Sequence, residues 1–168
     1  MERFWNIVHY FVYKLDCKLH LLFNKINPVY YFYKLPFAKR HFEKMGIDPV
    51  VEANKAFKRP DVGISTIRAG GFMYILIFLL CLGVANLVIK IAQQGPNLRL
   101  YHFITFIAIS ILINQVLLFR NKRYLTYFKE FDIMPKELKK KWAWISFLAI
   151  LGILSFGVGS FFLAMYQM

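Results

Sequence analysis

The chain has 168 residues, 58% of them hydrophobic, with 18 Phe and a formal net charge of +13. That length bounds it to one domain or one small membrane bundle, and the Phe content with a mean hydropathy of +0.45 argues against an ordinary water-facing surface. The charge alone would suggest nucleic acid, but it is confined to two segments that flank long uncharged runs, so a soluble nucleic-acid binder is excluded.

Residues 3–26 are strongly amphipathic. Phe4, Trp5, Val8, Phe11, Val12, Leu15, Leu19, Leu22, Phe23 and Ile26 fall on one side of a helical wheel, and Arg3, Asn6, His9, Lys14, Asp16, Lys18, His20, Asn24 and Lys25 on the other. A helix with this broad apolar arc suits the membrane interface, with Phe4, Trp5 and Phe11 as interfacial anchors. The segment is no signal peptide, because it lacks both an apolar h-region and a small-residue cleavage site. Asn27 and Pro28 end the helix. Residues 29–35 form an aromatic belt cluster, Pro36 opens a short helix closed by Gly46, and Asp48 with Pro49 starts another that runs to about Lys58. A turn at 59–63 precedes Ser65 or Thr66 as cap of the next helix.

Three uncharged or nearly uncharged stretches follow, at about 70–92, 101–119 and 142–165. At about 1.5 Å rise per residue, each is long enough to cross a hydrocarbon layer about 30 Å thick. Gly95, Pro96 and Asn97 make a turn signal between the first two. Residues 120–141 read as a basic helical hairpin that breaks near 132–135, and Trp142 and Trp144 mark the interface at the third span. Cys17 lies in the basic N-terminal segment and Cys81 inside a span, so both are expected as reduced thiols. The expected fold is therefore all-α: a polytopic membrane protein with three transmembrane helices, an N-terminal interfacial amphipathic helix and short cytoplasmic helices. Residues 1–69 form the interfacial segment and 70–168 the bundle.

Lys and Arg set the topology. Residues 1–69 carry twelve and residues 120–141 carry eight, while the first connection holds only Arg99, with Lys90 at the end of its span. Three spans put the two basic segments on one face, which the positive-inside rule makes cytoplasmic, with the C-terminus outside. A bacterial inner membrane, with anionic lipid at the cytoplasmic face, is the expected setting.

Within the spans, Gly83 and Asn86 share a face. His102 and Thr105 lie at the outer level of the second span, and Asn114 and Gln115 in its inner half. The polar or small residues of that span fall on two faces, Ser110 with Asn114 and Thr105 with Ala108 and Gln115. The third span carries the stripe Gly152, Ser155 and Gly159 and a second group, Ser146, Ser160 and Ala164. Small residues and amides suit helix packing or partner contact. His9, Asp16 and His20 project from one side of the first helix. His9 and His20 are about 16 Å apart along it, too far for one ion, so we read a solvated face and no metal. No nucleophile elbow, P-loop, dinucleotide motif, HExxH or CxxC occurs, and residues 61–65 lack nucleophile spacing. No catalytic residue or cofactor is expected. The leading reading is a non-enzymatic membrane subunit, anchor or assembly factor whose partners are other membrane proteins or further copies of itself. A small homo-oligomeric pore or transporter through Asn114, Gln115 and Ser155 is the alternative. A lipid-acting enzyme using His41, Glu43 or Asp61 is third.

Overall fold

The computed structural model describes residues 1–92 and 98–165, with side chains for 1–92 and 98–162. The turn signal at 95–97 and the side chain of Ala164 lie outside the described residues. The chain is 87% helical, with no strand among the described residues. In order the helices are α1 (Glu2–Asn24), α2 (Pro28–Tyr33), α3 (Pro36–Lys44), α4 (Pro49–Lys58), α5 (Ile64–Ile91), α6 (Leu100–Asn114), α7 (Arg123–Ile133) and α8 (Lys136–Met165). A π-helical turn, Gln115–Phe119, and a 3-10 turn, Arg120–Lys122, join α6 to α7.

The local causes are visible in the boundaries. Asn27 and Asp48 accept backbone N–H bonds at 2.9 Å from Val29 and Val50, and each is followed by a proline at the first helical position. Gly46 ends α3 with φ +65, a left-handed conformation that costs glycine nothing. At Gly63 a Cβ would collide with the Arg59 carbonyl, so the turn into α5 requires glycine. At the start of α6, the Nδ1 of His102 accepts the Arg99 backbone N–H at 3.0 Å.

Three helical stretches are long and apolar enough to cross a membrane: Ile64–Ile91, Leu100–Ile133 and Lys136–Phe162. Only a third of the α5 window and 17% of each of the other two are buried within the chain, so most of this apolar surface needs a non-aqueous medium. These helices support a membrane protein.

The chain divides into two compact units, one of Met1–Tyr10 with Gly71–Met168, the other of Phe11–Gly70. The first ten residues thus belong to the unit that contains residues 71–168.

Candidate functional site

Within the bundle unit, the polar side chains gather along two seams. The first joins the start of α1 to α5, α6 and α7. Asn114 is fully buried, and both its amide nitrogen and its oxygen bond to neighbours. Its Oδ1 accepts from Trp5 Nε1 at 3.0 Å, and its Nδ2 donates to the Ser110 carbonyl at 2.9 Å and the Met73 carbonyl at 3.2 Å. One turn earlier Ser110 donates to the Tyr74 carbonyl at 2.6 Å. α5 and α6 are thus tied by two side chains one helical turn apart, the Ser110 and Asn114 face of the sequence. Bonds of this kind in a lipid setting contribute about 0.6 kcal/mol each, and at most roughly 1.7.

The π turn follows directly on Asn114. After it Asn121 and Lys122 both take left-handed backbone, φ 54 and 53. The helix cannot continue through that pair, so carbonyls of the preceding turn lose their regular donors. Asn6 supplies one: its Nδ2 donates to the Leu117 carbonyl at 2.9 Å as well as to Glu2 O at 3.0 Å. His9 is also completely buried, packed among the rings of Phe119, Tyr124 and Phe128 with centroids 5.2–6.0 Å away. At the rim, Tyr10 donates to Asp132 at 2.6 Å, Arg3 pairs with Glu130 at 2.7 Å, and Arg123 meets Glu2 at 3.1 Å.

Trp5, expected as an interfacial anchor, makes its contacts within the chain: it is 7% exposed and bonded to Asn114. The solvated face expected of His9, Asp16 and His20 is not formed at His9, which is fully buried, as is Asn6 on the same side of the helix. The wheel separated the two sides of the helix properly, but α6, the π turn and α7 cover its polar side. Of the other interfacial anchors, Phe4, Phe11 and Trp142 are half-buried and Trp144 is exposed.

The second seam joins α5 to α8. Asn86 Nδ2 donates to Ser160 Oγ at 3.0 Å, and Ser160 donates on to the Gly157 carbonyl at 2.7 Å. Gly83 lies under the Phe156 ring, where any Cβ would press into it, and Gly157 lies against Leu79. Close approach at these two glycines is what lets the Asn86 amide reach α8. Ser146 is buried on the same side of α8.

The remaining candidates face away. Gly152 and Ser155 are exposed, Gly159 is half-exposed, and a Cβ at either glycine would meet nothing within 4 Å. On α6, Thr105 is exposed and donates back to the Tyr101 carbonyl at 2.9 Å, and Ala108 and Gln115 are exposed beside it. Each of these two helices therefore has one polar or small face engaged inside the chain and one turned outward. Sequence reasoning missed the contributions of Asn6, His9 and Gly157. Gly157 lies three residues before Ser160 on the same helical face, a signal that was available.

An apolar groove of about 870 Å³ in the bundle unit is bounded by α1, α5 and α6. Phe4, Trp5, Val84, Val88, Phe106 and Ile113 are among its walls, and His102 contributes its one imidazole. Within the chain Asn114 is buried and bonded to its neighbours, whereas Gln115 and Ser155 face outward. Among the described residues no group of three or more His, Cys, Asp or Glu lies close enough to hold a metal ion. Outside the spans, Arg59 donates to both Asp61 oxygens, at 3.2 and 2.9 Å, and that bond pulls the Asp61 carboxyl down to about 2. Glu43 lies 3.7 Å from Lys39. Comparison with family models, with curated proteins and with solved structures returned no match.

Proposed function

We propose that the chain is a non-enzymatic membrane subunit or anchor that assembles with other membrane-spanning helices through the outward faces of α6 and α8. The observation that carries this reading is the split use of small and polar residues. Ser146, Gly157 and Ser160 are buried inside the chain, while Gly152, Ser155 and Gly159 on the same helix are not. A glycine in a helix interior costs about 1 kcal/mol relative to alanine. At Gly157 close packing offsets that cost, and at Gly152 and Gly159 nothing within the chain does. A helix from another chain, approaching closely over these positions, would supply the offset. The outward Thr105, Ala108 and Gln115 offer a second such face, where an amide gains from a partner in hydrocarbon. The orientation that fits the charge distribution places the N-terminus in the cytoplasm and the C-terminus outside, in a bacterial inner membrane.

The pore reading has less support, because the polar residues it requires are divided between a buried position and outward faces, and the groove among α1, α5 and α6 is apolar. The test is photocrosslinking in the native membrane. A crosslinker at Ser155 or Thr105 should give protein adducts of defined mass, and one at Phe147, on another part of the exposed surface of α8, should give lipid. Adducts with lipid alone at all three sites, with a lone protomer recovered in mild detergent, would refute the reading.

A further inference from the structure

Residues 11–70 form a unit built the wrong way round for water. The second half of α1 meets α4 through its polar and small edge. His20 Nε2 lies 3.1 Å from Asn54 Oδ1, Asn24 Nδ2 donates to the same oxygen at 2.9 Å, and the His20 ring stacks on Phe57 with centroids 3.6 Å apart. Tyr13 donates to the Lys58 carbonyl, and both Tyr13 and Cys17 are buried. The opposite edge is the apolar one, and it is open: Leu15 is 58%, Leu19 41%, Leu22 55% and Ile26 78% exposed. Spacings of four and three residues put Leu15, Leu19 and Leu22 in one row, and Ile26 follows in the turn that ends α1.

The rest of the unit supplies no core that could compensate. α2 and α4 bury no residue, and α3 buries only Ala38. Val29, Phe32, Leu35, Phe37 and Ile67 are all exposed. A unit of sixty residues with its large apolar side chains outside and small or polar ones inside does not gain enough from burial to hold its shape in water.

Charge indicates which apolar medium covers it. Residues 11–70 contain eleven Lys and Arg and five acids, a balance of 11 − 5 = +6. Each acid is engaged locally. Asp16 meets Arg68 at 3.3 Å, Glu43 meets Lys39, Glu52 meets Lys55 at 2.7 Å, Asp61 meets Arg59, and Asp48 caps α4. The positive excess is therefore presented outward. Lys18 lies on one flank of the apolar row and Lys25 follows in the turn after it, the arrangement in which stems reach acyl chains and ammonium groups reach phosphates. The last residues of the unit are also the first of α5, so it is covalently continuous with a membrane-crossing helix.

We propose that residues 11–70 lie in the interface of an anionic phospholipid bilayer, with the row Leu15, Leu19 and Leu22 and the following Ile26 among the acyl chains and Lys18 and Lys25 at the headgroup phosphates. A protein surface would need an apolar trough bordered by acids along the whole row. An anionic bilayer presents both features without specific design. This inference is independent of the outward faces of α6 and α8 and stands or falls separately from them.

The experiment uses the full chain, with its two cysteines replaced by alanine, in nanodiscs of phosphatidylcholine with or without phosphatidylglycerol. An environment-sensitive fluorophore is attached at Leu22→Cys or, as the exposed control on α4, at Lys55→Cys. With phosphatidylglycerol present, the label at 22 should be quenched by brominated acyl chains and the label at 55 by aqueous iodide. Lys18→Gln with Lys25→Gln should lower the embedded-to-exposed ratio about 25-fold in anionic discs, roughly fivefold per lysine, and much less in neutral ones. Equal iodide quenching at 22 and 55 in anionic discs would overturn the proposal. So would a label at 22 that is shielded in native membranes but open in pure lipid, since that would assign the row to a protein partner.

Discussion

The two halves of α1 are one continuous helix with one hydrophobic period, yet they end in different surroundings. From Trp5 to Tyr10 every residue is buried, polar and apolar sides alike. From Leu15 onward the apolar row is exposed and only the other edge is covered. In each half, taken by itself, the polar edge meets protein. Asn6 and His9 face the elements joining α6 to α7, and His20 and Asn24 face α4. In a water-soluble helix that edge would be outermost. A helical period therefore reports that two sides differ, and the composition of the neighbours decides which side is buried. Here the neighbours offer carbonyls, an amide and aromatic rings to the polar side, and the medium receives the apolar side.

That comparison can be broken most directly at Asn114. Asn114→Leu removes the acceptor of Trp5 and the donor to Met73, leaving buried polar groups unmatched. We expect a loss of roughly 2–3 kcal/mol in detergent-denaturation stability, with faster hydrogen exchange in residues 5–10 and no change in residues 15–24. Equal exchange in both segments would mean that the two halves are not separately held. The α5–α8 seam gives the next largest effect. Gly83→Leu forces the Phe156 ring aside and should cost about 2 kcal/mol, whereas Gly152→Leu, with open space above it, should leave the isolated chain within about 0.5 kcal/mol of the parent and weaken only assembly. Equal losses in the two variants, measured by the same unfolding titration, would erase the distinction between engaged and outward faces.

Smaller effects sharpen the contrast. Tyr10→Phe deletes the bond to Asp132 and should cost about 1 kcal/mol, and Tyr31→Phe, whose bond to the Lys25 carbonyl is exposed, should cost less than about half of that. The smallest effect is electrostatic. The folded Asp61 carboxyl is held at about 2, below its ordinary value near 3.9. Because the folded value is the lower one, its contribution is full above the unfolded value and fades as the pH falls from about 4 toward 2. An NMR titration of Asp61 should therefore show a midpoint near 2, which Arg59→Gln returns toward the ordinary value.

Much of this architecture is legible in the residues. The start at Asp48–Pro49, the closing Gly46, the three apolar stretches and the break before Pro135 each carry a local signature, and the helices start and stop close to them, whereas Asn27 and Pro28, read as the end of α1, also open α2. The Gly83 and Asn86 face and the Ser110 and Asn114 face follow from helical spacing alone. The docking of residues 1–10 does not, because it depends on side chains more than a hundred positions away and on a π turn followed by two left-handed residues. Asn121 tolerates that backbone, but Lys122 carries no mark of it. The stripe Gly152, Ser155 and Gly159 was equally visible in sequence, but spacing cannot say which of two small faces on α8 meets α5. That choice follows from Gly157, which lets Ser160 come within reach of Asn86.

The most direct measurement is a spin-label accessibility scan of residues 12–26 in the full chain reconstituted in anionic lipid. Oxygen, which partitions into hydrocarbon, should collide most with labels at 15, 19, 22 and 26, and a water-soluble nickel complex should not reach those positions. If the nickel complex instead peaked at 20 and 24, the helix would turn its polar edge to water, and the inverted arrangement of α1 would be refuted.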